Sequence, residues 1–213
     1  GVCVSLISPD SERTMITYLG AACELKACDL NLTQFEGYDL FHVEGYLVQN
    51  YELIETSLKL AKQAGLKVSL DLASYNVVED NLDFLRRISS EYVDIIFANE
   101  EEAKSFTGES PNAAARIIAG EYCEIAVVKK GKDGSVICRG SEEYEIAPMK
   151  DVVAVDTTGA GDLYASGFLY GLANNLPLNI CGEYGASVSG NIVQVVGTKM
   201  DEQTWNTIRK NCQ

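Results

Sequence analysis

The stretch VDTTGAGDLY, residues 155–164, places two glycines and an alanine between two aspartates. An apolar pattern with helical spacing follows it directly, so Gly159, Ala160 and Gly161 are predicted to lie at the start of a helix. The first amide groups of a helix have no partner inside the helix, and the helix dipole adds positive charge there. Small residues let an anion approach these amides closely. The stretch therefore predicts an anion cradle with Asp162 beside it.

The predicted helix begins at Asp162, and its buried face is expected to carry apolar residues spaced by three and four. These are Ala165, Phe168, Leu169 and Leu172. A carboxylate beside an anion cradle is well placed to accept a proton from a hydroxyl that attacks a bound phosphate. The alternative is that Asp162 only caps the helix or complements its dipole, as first-turn aspartates commonly do.

Composition limits the class of protein. The chain has 213 residues, of which 46% are hydrophobic, and this predicts one large domain or a domain with a small appendage. The net charge of −14 argues against nucleic acid or an anionic membrane as a partner. No apolar run reaches the roughly 18 residues that a membrane-spanning helix needs. The 7 cysteines are scattered without a C-x-x-C pair, which predicts reduced thiols and a cytoplasmic protein.

The rest of the chain alternates strand and helix patterns, which predicts an α/β fold with a parallel sheet between helices on both faces. Residues 1–7 and 13–19 are predicted to form a β hairpin around the turn Ser8–Arg13. Further strands are predicted at Leu40–Val43, Val68–Leu72, Val93–Ala98 and Glu124–Lys129, and two short antiparallel strands after Gly131. Helices are predicted at 51–65, 80–90, 111–120, 161–174, 178–196 and 202–211.

The string DTTGAGD resembles the C-terminal signature of the ribokinase-like (PfkB) family of sugar and nucleoside kinases. The resemblance implies that Asp162 is the catalytic base and that the backbone of Gly159–Gly161 forms the anion hole. FANEEEA is similar to the N-x-x-E element of the family, which implies that Asn99 and Glu102 order Mg²⁺ and the phosphates through water. The alternative for this second element is an ordinary acidic helix start.

The same resemblance implies an ATP site. VVKKGKDGSVI is similar to the glycine-bearing nucleotide loop of the family, and residues 170–198 are similar to the small-residue helix beside the adenine. The implied nucleotide-binding residues are Lys129, Gly131, Gly134, Thr158, Ala186 and Gly190. The alternatives are a plain hairpin turn for K-D-G and tight helix packing for Ala186 and Gly190. Asp156, with the Thr158 carbonyl, is implied to help bind a monovalent cation such as K⁺.

The acceptor side of the site carries fewer signals. ERTMITYLGAA is similar to a segment of adenosine kinases in which an arginine reaches toward phosphate, which implies a substrate role for Arg13. Glu44 follows a predicted strand, and ligands of parallel sheets lie beyond the carboxyl ends of the strands, so Glu44 is expected to face the acceptor. His42, the only histidine, is expected to pack at a strand end, with a Ser-His-Asp triad as the alternative. P-loop, Rossmann and G-x-S-x-G motifs are absent from the sequence.

These signals predict a Mg·ATP-dependent kinase that phosphorylates a hydroxyl of a sugar or nucleoside. The alternative is a non-catalytic nucleotide-binding fragment or regulatory homologue of such a kinase. Residues 1–19 are expected to form part of a β lid, through which a homodimer could assemble, and residues 20–213 the nucleotide-binding core. By resemblance, the first third of the family fold would precede Gly1, so the 213-residue chain alone is expected not to phosphorylate an acceptor. Asn99 and Asp162 are expected at the same end of the sheet.

Overall fold

A computed structural model of the chain describes residues 1–8 and 13–211, and the side chains of Arg13 and Asn211 lie outside that description. Most of the predicted turn Ser8–Arg13 therefore falls outside the described residues. The chain divides into two compact units. The helical unit comprises Gly1–Glu24, Lys132–Ser135 and Glu145–Gln213, and the sheet unit comprises Leu25–Gly131 and Val136–Tyr144. The predicted division at residue 19 stays a prediction.

Strands and helices follow the predicted order along the chain. The strands are β1 (Val2–Ile7), β2 (Arg13–Tyr18), β3 (Leu40–Glu44), β4 (Lys67–Asp71), β5 (Ile95–Asn99), β6 (Ile125–Lys129), β7 (Ser135–Arg139) and β8 (Glu142–Ile146). The helices are α1 (Tyr51–Gln63), α2 (Tyr75–Asp80), α3 (Leu82–Tyr92), α4 (Glu100–Thr107), α5 (Pro111–Glu121), α6 (Ala160–Ala173), α7 (Leu178–Ile192) and α8 (Glu202–Asn211). Among the described residues, none of these helices is long and apolar enough to cross a membrane.

The main sheet has the strand order β3-β4-β5-β6-β7-β8, and the pairs from β3 to β6 are parallel. This confirms the predicted α/β architecture. A connection of only two residues joins β7 to β8, so these strands must run antiparallel. The register pairs Glu44 with Asp71 and Asn99 with Lys129, so the carboxyl ends of β3 to β6 align along one edge.

The sheet unit is built around apolar strands that are buried on both faces. Val68, Leu70, Ile95, Phe97 and Val127 have no exposed surface. Such strands are typical of a parallel sheet between helices. Helices α1, α3 and α5 cover it through their own buried residues, and each fully buried aliphatic or aromatic side chain contributes about 1.5–3 kcal/mol of hydrophobic free energy.

In the helical unit, β1 and β2 form the predicted antiparallel hairpin, with Val2 paired to Tyr18 and Ile7 to Arg13. Helices α6 and α7 pack through glycines. A Cβ atom on Gly167 would come within 2.7 Å of the Tyr184 carbonyl oxygen. The predicted inner face of α6 is therefore wrong in part: Leu169 and Leu172 are only half-buried, because close contact with α7 requires glycines on the touching face.

Helix α7 ends at Ile192, four residues before the predicted boundary. The carbonyl oxygen of Val193 accepts hydrogen bonds from the amides of Val155 (2.7 Å) and Asp156 (3.2 Å), so it is engaged outside the helix. The chain after α7 is thereby joined to the segment that leads into α6. Helix α2 was not predicted, because only Val78 is buried among its six residues and no helical period is visible.

Candidate active site

Four polar residues stand at the carboxyl edge of the sheet unit, one at the end of each of β3 to β6. They are Glu44, Asp71, Asn99 and Lys129. The aligned register brings these strand ends side by side, which is the position where open α/β sheets bind their ligands. Sequence reasoning selected all of these residues except Asp71.

Asn99 and Glu102 form a closed capping box at the start of α4. The Asn99 Oδ1 atom accepts from the Glu102 amide at 2.9 Å. In return, Glu102 accepts from the Asn99 amide and from its Nδ2 atom, both at 2.7 Å. This arrangement is the one by which N-cap residues satisfy the first amides of a helix. Helix α4 therefore begins with an acidic first turn, and the capping box holds the Glu102 carboxylate at a fixed position at the end of β5.

The electrostatics of this edge are unusual because Glu102 is buried. Burial, with the charge of Asp71 as the second cause, raises the pKa of Glu102 from its ordinary 4.5 to about 7. Lys129 opposes this effect. Its Nζ donates to Asp71 Oδ2 at 2.8 Å. Burial alone would lower the pKa of Lys129, but the carboxylates of Asp71 and Glu102 outweigh it and raise that pKa.

In the helical unit, Asp156 acts as a clip within the DTTGAGD string. Its Oδ1 atom accepts from the amide (2.9 Å) and the hydroxyl (2.6 Å) of Thr158. Its Oδ2 atom accepts from the amide of Gly197 at 2.7 Å. The carboxylate is almost fully buried, so these bonds fix the loop that precedes α6. The geometry thus gives Asp156 an organising role, whereas the sequence suggested a cation ligand.

Gly159 is the N-cap of α6 and has a φ of 78°, a left-handed conformation that favours glycine. A Cβ atom at this position would come within 3.0 Å of the Thr198 Cγ2 atom. Ala160 begins the helix, so Asp162 lies in its first turn as predicted, and its side chain is exposed. The amide of Ala160 donates to the Thr157 carbonyl oxygen at 3.2 Å. The candidate cradle is therefore a constrained turn followed directly by a helix start.

The proposed nucleotide residues lie in different settings. Gly131 is exposed with a φ of 52°, whereas Gly134 has a φ of 86° and its α-carbon packs against the Ile146 carbonyl oxygen. Gly134 is thus required for chain packing whether or not a nucleotide binds. Ala186 and Gly190 are half-buried on α7. Their assignments stay predictions.

Met149 packs directly against Gly190, since a Cβ atom on Gly190 would come within 2.6 Å of the Met149 Cβ atom. The amide Nδ2 of Asn191 also lies 3.4 Å from the Met149 sulfur. Sequence reasoning missed this neighbour because nothing in the chain between β8 and the DTTGAGD string signals which residue covers α7. Gly190 is thus closely packed against Met149, and its assignment to the nucleotide stays a prediction.

On the acceptor side, Glu44 is half-buried and its Oε1 atom lies 3.4 Å from His42 Nε2. The other ring nitrogen of His42 is hydrogen-bonded to the buried Ser69 hydroxyl at 2.8 Å. His42 thus has partners on its own strand and on β4, as expected for a packed strand residue. The side chain of Arg13, assigned to the substrate, lies outside the described residues.

Within the described part of the chain, no three His, Cys, Asp or Glu side chains are grouped so as to hold a metal ion by themselves. Mg²⁺ commonly binds through one or two carboxylates together with waters and substrate phosphates. The buried Glu102 carboxylate, held by the capping box, fits that second mode. Asn99 and Glu102 belong to the sheet unit and Asp162 to the helical unit, so their common placement stays a prediction.

The chain resembles solved structures of small-molecule kinases. Over 99% of its length the chain resembles the crystal structure of a probable sugar kinase from Rhizobium etli CFN 42, with a TM-score of 0.90 and 34% identity. The adenosine kinase from Sinorhizobium meliloti gives a TM-score of 0.91 at 29% identity over 98% of the chain. The fold is therefore that of the ribokinase-like kinases. The family described as pfkB family carbohydrate kinase matches residues 1–205, and the chain belongs to this family.

Curated relatives include kinases of more than one substrate class. A cytidine kinase from Thermococcus kodakarensis is 41% identical over 105 residues, which cover 48% of this chain and 37% of that protein. An uncharacterized sugar kinase from Archaeoglobus fulgidus is 26% identical over 93% of this chain and 78% of its own length. The chain spans 66% and 65% of the Rhizobium and Sinorhizobium kinase chains.

Proposed function

We propose that the protein catalyses ATP-dependent phosphoryl transfer to a hydroxyl group of a sugar or nucleoside. The observation that carries this proposal is the start of α6, where Gly159 forms a left-handed cap and Asp162 stands exposed in the first turn. Relatives named as sugar, cytidine and adenosine kinases support the reaction class. They differ in the acceptor, so the proposal names the chemical group that is phosphorylated.

In this proposal, Asp162 accepts the proton of the attacking hydroxyl. The helix start at Gly159, Ala160 and Gly161 stabilises negative charge that develops on the transferred phosphoryl group. The Ala160 amide would exchange its bond to the Thr157 carbonyl for one to phosphate. The Asp156 clip supports this step, because it holds the Thr158 backbone that leads into the cap.

Mg²⁺, when bound with the nucleotide, would neutralise charge on the phosphates. Asn99 and Glu102 would hold it through water, since the capping box fixes the carboxylate while each oxygen keeps a lone pair for a further donor. The nucleotide side of the proposal comprises Gly131, Gly134, Thr158, Ala186 and Gly190. The proposed acceptor-binding residues are Arg13 and Glu44. A K⁺ ion is proposed to bind beside Asp156 and the Thr158 carbonyl.

We also propose that the hairpin β1-β2 is a dimer contact. Val2, Ile16 and Tyr18 are each more than 60% exposed, at 64%, 62% and 74%. A two-stranded sheet with bare apolar side chains gains stability when a second surface covers it. Light scattering at increasing protein concentration tests this, and a Val2→Lys/Ile16→Lys variant is expected to stay monomeric where the parent dimerises.

A screen of acceptors tests the function. The protein is incubated with Mg²⁺, ATP and a panel of sugars and nucleosides, and ADP release is compared with ATP alone. Acceptor-dependent ADP release with a phosphorylated product in the mass spectrum supports the proposal. Nucleotide binding without any phosphorylated product across the panel in the full-length protein would contradict it.

A further inference from the structure

Lys129 was assigned to the nucleotide by sequence, but its ammonium group is committed elsewhere. Its Nζ atom lies 2.8 Å from Asp71 Oδ2, and the two side chains are only 15% and 10% exposed. The partner is itself held rigidly, since the other oxygen of Asp71 accepts from the Ala73 amide at 3.0 Å. Lys129 is therefore one half of a buried ion pair at the carboxyl edge of the sheet.

This pair spans the strand that carries the capping box. Lys129 ends β6 and Asp71 ends β4, while β5, between them in the sheet, ends at Asn99. The carboxylates of Asp71, Glu102 and Glu44 all act electrostatically on the Lys129 ammonium. These four side chains carry three negative charges against one positive charge when all are ionised.

We propose that Lys129 is a positioning residue, a built-in counter-cation that offsets the carboxylates around Glu102 and thereby weakens the binding of a divalent metal ion there. The inference rests on the proposed function, because it requires Glu102 to act on a metal ion. Under this proposal, Lys129 does not contact the nucleotide directly. The physical reason is that a fixed ammonium and a divalent cation repel each other across a poorly solvated edge.

The proposal predicts that metal affinity follows the summed charge of Glu44, Asp71, Glu102 and the residue at position 129. That charge is −2 in the parent when all four side chains are ionised, which requires a pH above about 7 because of Glu102. Lys129→Met makes it more negative and Asp71→Asn makes it less negative. The double variant Lys129→Met/Asp71→Asn restores the parent sum without the ion pair. Lys129→Arg keeps the charge with a different shape.

The measurement is a titration with Mn²⁺ at saturating non-hydrolysable ATP analogue, followed by electron paramagnetic resonance. Lys129→Met is expected to lower the Mn²⁺ concentration at half-saturation by about three- to tenfold, and Asp71→Asn to raise it by a similar factor. The double variant and Lys129→Arg are expected to lie within about twofold of the parent. Affinity for the analogue without metal, measured in parallel, should remain nearly the same in the double variant.

Several results would overturn the inference. One is a Lys129→Met protein whose Mn²⁺ affinity is unchanged or weaker. Another is a double variant that binds Mn²⁺ as weakly as Asp71→Asn, or that loses the analogue. If Lys129→Met does not fold, the double variant still tests the proposal, because it must bind Mn²⁺ more tightly than Asp71→Asn does. Glu102→Gln separates the two proposals: an unchanged Mn²⁺ titration overturns the metal role of Glu102 and this inference together, whereas a weakened one leaves the metal role standing.

Discussion

The Asp156 carboxylate accepts a 2.7 Å hydrogen bond from the backbone amide of Gly197, 41 residues further along the chain. The same carboxylate binds the amide and hydroxyl of Thr158. One buried side chain thus joins the loop before α6 to the segment after α7. The first aspartate of the DTTGAGD string stabilises the position from which the second aspartate is presented.

Asp156→Asn is expected to destabilise the protein by about 1–3 kcal/mol, because an amide NH₂ replaces one acceptor oxygen and leaves a buried donor without its partner. Chemical denaturation measures the loss. Glu183→Gln, an exposed change on α7, serves as the control and should cost less than about 0.5 kcal/mol. Equal stability of the Asn variant and the parent would show that the clip is unimportant.

Gly159→Ala is expected to destabilise the protein more than Gly37→Ala does. Both glycines have left-handed φ angles, 78° and 82°, but only at Gly159 would a Cβ atom meet another residue, the Thr198 methyl group. An alanine in this left-handed conformation costs about 1–2 kcal/mol at each site, so any excess at Gly159 measures the contact with Thr198. Removing the methyl with Thr198→Ser should relieve that excess. If the two alanine variants are equally stable, the cap tolerates a side chain.

Gly190→Ala is expected to lower the melting temperature, since its new methyl group would collide with Met149. Gly120→Ala is the matched control, because Gly120 also lies in a helix and no atom lies within 4 Å of a Cβ placed there. This control should be neutral or stabilising by about 0.5–1 kcal/mol through helix propensity. Met149→Gly, which removes the colliding Cβ atom together with the rest of the side chain, should rescue Gly190→Ala when compared with Met149→Gly alone. Failure of that rescue would place the conflict elsewhere.

Glu102→Gln is expected to change how stability depends on pH. The pKa of Glu102 in the folded protein, about 7, exceeds its ordinary 4.5, so the folded state binds the proton more tightly. The stabilisation from this group is complete below pH 4.5 and is lost as pH rises through about 7. The free energy of unfolding of the parent, relative to Glu102→Gln, should therefore fall by about 1–3 kcal/mol over this range. Glu101→Gln is the exposed control, and parallel profiles for parent and Glu102→Gln would refute the shift.

The order of strands and helices could be predicted because the buried strands are continuous apolar runs and the helices carry clear stripes. The IIFA run of β5 and the IAVV run of β6 show this directly. The candidate site was partly predictable for the same reason: Asn99 and Lys129 follow such runs, so their place at the sheet edge follows from topology.

Other features depend on contacts between distant segments and leave no local signal. Asp71 ends its strand much as Glu44 does, yet its role depends on Lys129, 58 residues away. The early end of α7 depends on the amides of Val155 and Asp156, and the glycine-rich face of α6 on the close approach of α7. Periodicity could not choose between a leucine face and a glycine face for α6.

Asp162 is proposed to act as the general base at the start of α6. The most direct test is Asp162→Asn in the full-length protein, with kcat measured on the acceptor found by the screen and nucleotide affinity measured by calorimetry. We expect kcat to fall at least about 100-fold while the dissociation constant for ATP changes by less than about threefold. Turnover within a few-fold of the parent would contradict the claim and leave Asp162 as a helix-capping residue.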